Sequence, residues 1–416
     1  MNKERIMVVA GVRTPFCKMG TDLSNLSAAD LGRTAMAALL TRMDIDPQII
    51  DEVIVGCVAQ PADAMNLARV IALRSGIPKH VPAVTVHRNC ASGFEAITEA
   101  FDRIRAERAD IFLVGGVESM SAVPLLFSKD AAAKFTTLAR AKSLLQKLAA
   151  VAAFRPSDFA PIAGLRLGLS DPVSGLNMGE TAEILAREFS VSREEQDAFA
   201  LKSHQRATAA KEKMKEEIVP VYDLKRGKAI VEDNGVRAEQ TMGALAKLRP
   251  VFEKGTGTVT AGNASQITDG AVALVIASES AVEKMGIEPL GVVSDYSYVG
   301  CDPSRMGIGP VYAMKRLLER SSHTLEEADI IEVNEAFAAQ VLAVTRLAKR
   351  EGVGEIPLDK LNVNGGAIAL GHPVGATGAR IVLTALKELE RRNAKKALVS
   401  LCVGGGQGAA LWLERP

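Results

Sequence analysis

The sequence predicts an α/β fold of two duplicated α/β halves, one of them interrupted by a long insertion. Three observations carry this. Short apolar, β-branched runs alternate with stretches of helical periodicity, which argues for helices layered on a sheet with mostly parallel pairing. The order of elements after residue 284 repeats the order before 120, with Asp329-Ile-Ile-Glu-Val333 echoing Asp51-Glu-Val-Ile-Val55. Across residues 121–249 strand signals thin out and helical ones take over, as in an inserted lid.

In chain order, residues 6–10 form an apolar strand ahead of the turn-like Arg13-Thr14-Pro15. Residues 28–43 are an amphipathic helix with Leu31, Ala35, Leu39 and Leu40 on one face. A strand follows at 53–58, then a helix at 66–75 that stops at Gly76 and Pro78. Residues 81–86 are a buried strand, and Phe94, Ile97, Phe101 and Ile104 mark a helix after it. Residues 111–114 are another strand, and Gly115-Gly116 after it would suit close packing at an interface. In the insertion, 176–189 and 193–213 read as helices, with Ser192 as an N-cap, and 219–232 as extended. Strand character returns at Thr258-Val-Thr260 and 271–277. The second half then gives strands at 290–295, 329–333, 361–363, 397–401 and 409–413, with helices at 311–320, 341–350 and 378–391.

The 416 residues suit two or three domains of about 150 residues. The 50 basic and 49 acidic residues balance, so no global field recruits nucleic acid or a membrane. Five cysteines at irregular spacings make no CxxC pair or His/Cys cluster, so neither a metal site nor a disulfide framework is expected. The N-terminus runs straight into a strand without a signal or transit peptide, and no apolar run is long enough to span a bilayer. The expected compartment is the cytoplasm.

Cys90 lies between a strand and a helix, in Asn89-Cys90-Ala-Ser-Gly93. Unpaired N–H groups at a helix start favour negative charge, which lowers a thiol pKa and supplies thiolate near neutral pH. A buried structural cysteine is the competing reading. His372 sits among glycines in Gly371-His372-Pro-Val-Gly-Ala-Thr-Gly378, the stretch that the repeat pairs with the Cys90 loop. Two halves packed face to face would bring the loops together and let the imidazole take the thiol proton. The alternative is an ordinary hydrogen-bonded loop histidine. His87 is a rival base, while His80, His204 and His323 sit in surface-like contexts. Cys402 lies where a strand runs into Val403-Gly-Gly-Gly406, glycines that allow close backbone approach to a ligand, and it also reads as a small core residue. Cys17, Cys57 and Cys301 read as structural. Asn334 opens Asn-Glu-Ala-Phe337 after a strand, where a helix cap is the plain reading.

Together these stretches resemble the thiolase family over essentially the whole chain. The resemblance rests on Asn89-Cys90-Ala-Ser-Gly93, Asn334-Glu-Ala-Phe337, Gly371-His372-Pro373 with Gly375-Ala-Thr-Gly378, and Cys402-Val-Gly-Gly-Gly406. Thr260-Ala-Gly-Asn-Ala-Ser265 and Lys247-Leu-Arg-Pro250 add to it. It implies a thiolase fold in a layered αβαβα arrangement: an N-terminal half at 1–120 plus 250–283, a loop domain at 121–249 covering coenzyme A, and a C-terminal half at 284–416. It implies that Cys90 is acylated and that His372 activates it. His372 and Asn334, the latter through a water, stabilise a thioester oxygen. Cys402 is the acid/base at the carbon nucleophile, and the N–H groups of Cys90 and Gly404 form a second oxyanion hole. Arg237, Ser265 and Met178 are the implied coenzyme A contacts. Coenzyme A is a substrate, no cofactor is tightly bound, and the assembly is a homodimer or tetramer.

Asn177 stands where many short-chain thiolases carry a histidine before Met-Gly, and residues 134–189 resemble thiolases that partner a multifunctional fatty-acid oxidation subunit. The resemblance therefore implies a degradative 3-ketoacyl-CoA thiolase of β-oxidation, with a biosynthetic acetoacetyl-CoA thiolase as the alternative. A ketoacyl synthase would be expected to carry a second histidine or a glutamate where this chain has Cys402. A non-catalytic scaffold would not be expected to keep Cys90, His372, Asn334 and Cys402 together. Residues 134–155 hold five cations and no acid, with Leu138, Leu145 and Leu148 on one helical face. They read either as a solvated helix or as one that docks on a membrane surface or a partner.

Overall fold

The structure, a computed structural model, describes residues 4–416. Its first half runs β1 (Ile6–Arg13), α1 (Ala28–Met43), β2 (Glu52–Gly56), α2 (Leu67–Arg74), β3 (Ala83–Val86), α3 (Ser92–Arg105) and β4 (Ile111–Glu118). The chain leaves the sheet there and returns as β5 (Thr268–Ser278). The second half is β6 (Gly291–Gly300), α8 (Gly309–Ser321), β7 (Ile330–Val333), α9 (Ala338–Arg350), α10 (Thr377–Arg392), β8 (Lys396–Val403) and β9 (Gln407–Glu414). Between the halves lie α4 (Lys129–Arg140), α5 (Leu144–Ala152), α6 (Met178–Glu188), α7 (Arg193–Ala209) and a small hairpin, Val221–Asp223 with Lys228–Ile230.

The sheet order is β7-β8-β9-β6-β1-β5-β4-β2-β3. Read outward from the central β1/β6 pair, the two sides match. β1 and β6 pair antiparallel with β5 and β9, these pair antiparallel with β4 and β8, and those pair parallel with β2 and β7. β3 completes one side, and a single parallel bridge from Ile331 to Leu361 stands in its place on the other. Even the irregularities correspond: β1 has a bulge at Val8/Ala10 and β6 one at Val293/Asp295.

Three expectations change here. Parallel pairing is confined to β2 with its two neighbours and β7 with β8, so the sheet is mixed rather than mostly parallel. The cause is the last strand of each half. β9 follows β8 through a tight glycine turn, and antiparallel partners need no crossover helix. Residues 361–363 supply only the one bridge, and 258–260 form no strand.

Side chains alternate along β1 and sort into layers. Ile6 and Val8 face α3 and α10, which are enclosed on both sides by the sheet's halves. Met7 and Val9 face α1 and α2 on the outside, and α8 and α9 cover the C-terminal half around Trp412. Gly115-Gly116 turns out to serve internal contacts. A Cβ on Gly116 would lie 2.1 Å from Gly375 O, so this glycine admits the His372 loop.

In the insertion, residues 134–155 are two helices rather than one, split before Ser143, which caps α5 with Gln146. α5 is solvated along an apolar face. Leu144, Leu145 and Leu148 are 72%, 80% and 58% exposed, beside a cluster of Phe127, Phe135, Phe154 and Phe159 rings. Among the described residues, no helix is long and apolar enough to cross a membrane.

Candidate active site

β3 ends at Val86, and a tight turn leads into α3. Asn89 holds φ 43°, a left-handed conformation that asparagine tolerates better than most side chains. The Ser92 hydroxyl accepts from Arg88 N at 2.9 Å and donates to Asn89 O at 2.7 Å, which locks the turn around Cys90. Ala91 caps α3 without a side-chain hydrogen bond.

Cys90 is partly open at the surface, yet burial is the largest effect on its thiol and pushes the pKa up. The backbone at Gly404 and at Cys90 itself favours the thiolate and acts against that rise. The expectation of a lowered thiol pKa is therefore overturned in the resting protein: removing sulfur from water outweighs the backbone.

Gly404 comes from the β8–β9 turn, the far end of the chain. Gly405 and Gly406 hold φ 88° and 82°, which glycine adopts without strain. Asn89 Nδ2 donates to Gly404 O at 2.8 Å and joins the two loops. Cys402, 1% exposed on β8, belongs to the apolar cluster against which Met178 packs. Burial, then Cys90, raises its thiol well above the ordinary range.

His372 is 8% exposed. Its backbone N–H donates to Gln266 O at 2.9 Å, and its Nδ1 lies 2.6 Å from Thr377 Oγ1. Its Nε2 has no partner among the described residues. Burial, with Arg380 nearby, lowers its pKa to about 4, so it is a neutral imidazole at pH 7. Asn334 is 1% exposed and neither amide atom has a partner, although its backbone N–H is paired with Ser400 O. Buried polar atoms are nearly always paired, so these orphans require a partner from outside the protein, a water or a ligand.

The Thr260–Ser265 stretch stitches these loops together. Ser265 N donates to Ala336 O at 2.9 Å beside Asn334, and Gln266 O receives His372. Met178, the first residue of α6, places its sulfur 3.4 Å from a Cβ built on Gly404. Arg237 is exposed and has no ion pair among the described residues, and its N–H donates to His204 Nδ1 at 3.1 Å. Met178 thus sits against both Gly404 and the Cys402 cluster, and Asn89 ties the Cys90 turn to Gly404.

His204 is 2% exposed, not a surface residue, because it fills the space under that bond. His87 is exposed, with its Nδ1 accepting from Asn89 N at 3.4 Å. Sequence reasoning gave no role to Asn89, Thr377 or Glu118. Asn89 was findable as the one residue of the turn suited to positive φ. Glu118 was findable as a lone acid closing an apolar strand. It is fully buried and accepts from Val58 N, Ala59 N and Gly375 N at 3.1, 2.8 and 2.9 Å.

Comparison with known proteins adds to this geometry. Residues 6–280 match the family model described as Thiolase, N-terminal domain, and residues 287–415 match Thiolase, C-terminal domain. A Yersinia pestis protein named 3-ketoacyl-CoA thiolase is 39% identical, over 99% of this chain and 97% of its own. The crystal structure of human mitochondrial 3-ketoacyl-CoA thiolase in complex with CoA is 41% identical, with a TM-score of 0.89 over 99% of this chain and 98% of that one. The Bacillus anthracis acetyl-CoA acetyltransferase structure is 37% identical, with a TM-score of 0.90 over 100% and 99%.

Proposed function

The chain belongs to the thiolase family, and on that premise we propose how its residues act. It is an acyltransferase, a 3-ketoacyl-CoA thiolase of fatty acid metabolism, and it uses coenzyme A as a substrate. His372 Nε2 takes the Cys90 proton, and the sulfur attacks the C3 carbonyl of 3-ketoacyl-CoA. The C2–C3 bond breaks, its electrons form the acetyl-CoA enolate, and Cys402 protonates C2. The Cys402 thiolate then takes the proton of free CoA. The CoA sulfur attacks the acyl-Cys90 thioester, giving a shortened acyl-CoA, and Cys90 recovers its proton from His372. The N–H groups of Cys90 and Gly404 hold the oxyanion on the Cys90 side, and His372 with Asn334 holds the enolate oxygen.

The observation that carries this reading is geometric: Asn89 Nδ2 ties the Cys90 turn to Gly404 O at 2.8 Å, and His372 Nε2 and both Asn334 amide atoms lie buried without a partner among the described residues. The experiment is a CoA-dependent cleavage assay on 3-ketoacyl-CoAs of rising chain length, with mass spectrometry of the acylated peptide. Acylation at Cys90 supports the reading, and acylation elsewhere ends it. The acetyl-CoA acetyltransferase likeness favours a second reading, an acetoacetyl-CoA enzyme, which activity restricted to the four-carbon substrate would select.

Several finer points belong to the same reading. The halves are 1–120 plus 250–283 and 284–416, and 121–249 cover the coenzyme. Met178 and Ser265 flank its thiol end, and Arg237, exposed and unpaired by charge, meets its phosphates. The protein works as a homodimer or tetramer and without a tightly bound cofactor. All five cysteines are free thiols, which fits a cytoplasmic setting. The apolar face of α5 with Lys142 and Lys147 supports docking through 134–155, on a membrane surface or a multifunctional β-oxidation subunit. Flotation with anionic vesicles separates the two.

A further inference from the structure

We propose that Thr377 is a positioning residue that fixes His372 as the Nδ1–H tautomer, leaving the Nε2 lone pair free to receive a proton. The inference deepens the reading of His372 as the base for Cys90 and rests on it.

Thr377 opens α10, five residues after His372. Its hydroxyl lies 2.6 Å from His372 Nδ1 and 3.0 Å from Pro373 O, and it is the ring's only polar partner among the described residues. A threonine hydroxyl has one hydrogen and two lone pairs. If that hydrogen goes to Pro373 O, the ring must donate across the 2.6 Å contact, and Nδ1 carries the proton. Pro373 O also accepts from Ala376 N at 2.8 Å and Thr377 N at 3.0 Å, so its claim on the hydroxyl is shared. The opposite arrangement has the hydroxyl donating to Nδ1.

The far side of the ring decides between them. Nε2 is buried without a partner. With the opposite arrangement it would bear an orphaned N–H, which folded proteins avoid more strictly than an orphaned acceptor. An Nε2–H imidazole also cannot take a proton at Nε2. A hydroxyl suits this role better than a carboxylate would. It orients the ring without holding it as the cation, so the proton taken from Cys90 returns readily at the end of the cycle.

The wild-type test is nitrogen-15 NMR on protein labelled at histidine, with His372→Gln to assign the signal. The expected spectrum gives His372 an N–H-type Nδ1 and a bare, pyridine-type Nε2. The reverse pattern overturns the proposal without any variant of Thr377. Among variants, Thr377→Val is expected to lower kcat roughly 10- to 100-fold with little change in KM. Thr377→Ser should restore most of it. A Thr377→Val enzyme with normal kcat and normal Cys90 alkylation also overturns the proposal. If instead His372→Ala still passes acyl groups to Cys90 at the normal rate, the assignment of the base is what fails.

Discussion

Gly93 and Gly378 are each the second residue of their buried helix, and each faces the backbone of the other helix. A Cβ on Gly93 would sit 2.6 Å from Ala379 N, and one on Gly378 would sit 2.6 Å from Phe94 N. This mutual approach lets α3 and α10 start side by side, which brings the Cys90 turn next to the His372 loop. Gly93→Ala and Gly378→Ala should each cost about 1–3 kcal/mol through overpacking. Activity should fall further than stability because the loops separate. A melting curve and kcat on the same samples test this, and an unchanged kcat in either variant would count against it.

Glu118 staples the His372 loop to the end of β2 through the three backbone N–H groups it accepts. Burial raises its carboxyl pKa, and those donors act against the shift. Glu118→Ala would leave the N–H groups unpaired at roughly 1–3 kcal/mol for a buried donor. The expected result is a clear loss of thermal stability together with slower alkylation of Cys90. A loss of stability with alkylation unchanged would assign the staple to folding alone.

Cys90→Ser should keep the fold and lose turnover by orders of magnitude, since serine supplies no thiolate. Cys402→Ala should leave Cys90 able to accept an acyl group from acyl-CoA while carbon–carbon cleavage falls roughly 10²–10⁴-fold. Half-reaction assays distinguish the two variants. Near-normal cleavage by Cys402→Ala would make Cys402 a packing residue.

His372 and His204 are both held at about 4 against an ordinary 6.5, chiefly by burial, with Arg380 acting on the first and Arg237 and Lys18 on the second. Between those limits the unfolded chain binds protons that the folded chain refuses. Their contribution to stability is therefore complete above about pH 6.5 and drains away as the pH falls toward 4. Melting temperatures taken across that window should fall, and His204→Gln should show a shallower slope than the parent. The rate of Cys90 alkylation should show no acid limb at 6.5, because His372 stays neutral there.

Local signals carried far in this chain. The spacing of Leu31, Ala35 and Leu39 bounds α1, and Ser27 caps it with Asp30. The glycine-bracketed motifs mark the loops that meet. Long-range facts were not legible. Strand direction at β9 depends on a three-glycine turn, and the fate of 361–363 depends on how far Ile331 can reach. The Cys90 thiol was misjudged because a window of fifteen residues reveals the helix start but not the protein enclosing the sulfur. Part of that enclosure is Gly404, more than three hundred residues later. His204 shows the same limit: a helix position among Lys202, Gln205 and Arg206 looks exposed until Arg237 is placed over it.

The central place of β1 has a consequence for how the protein is made. Its neighbours are β5, from Val272 to Ser278, and the start of β6, from Gly291 to Val293. A nascent chain therefore carries an apolar, β-branched strand with both edges unsatisfied until synthesis reaches Val272 of the 416 residues. Such a segment is prone to stick to its own kind. Translation speed and chaperone supply, rather than the stability of the finished molecule, should then set the soluble yield, and dilution should rescue refolding where cooling does not.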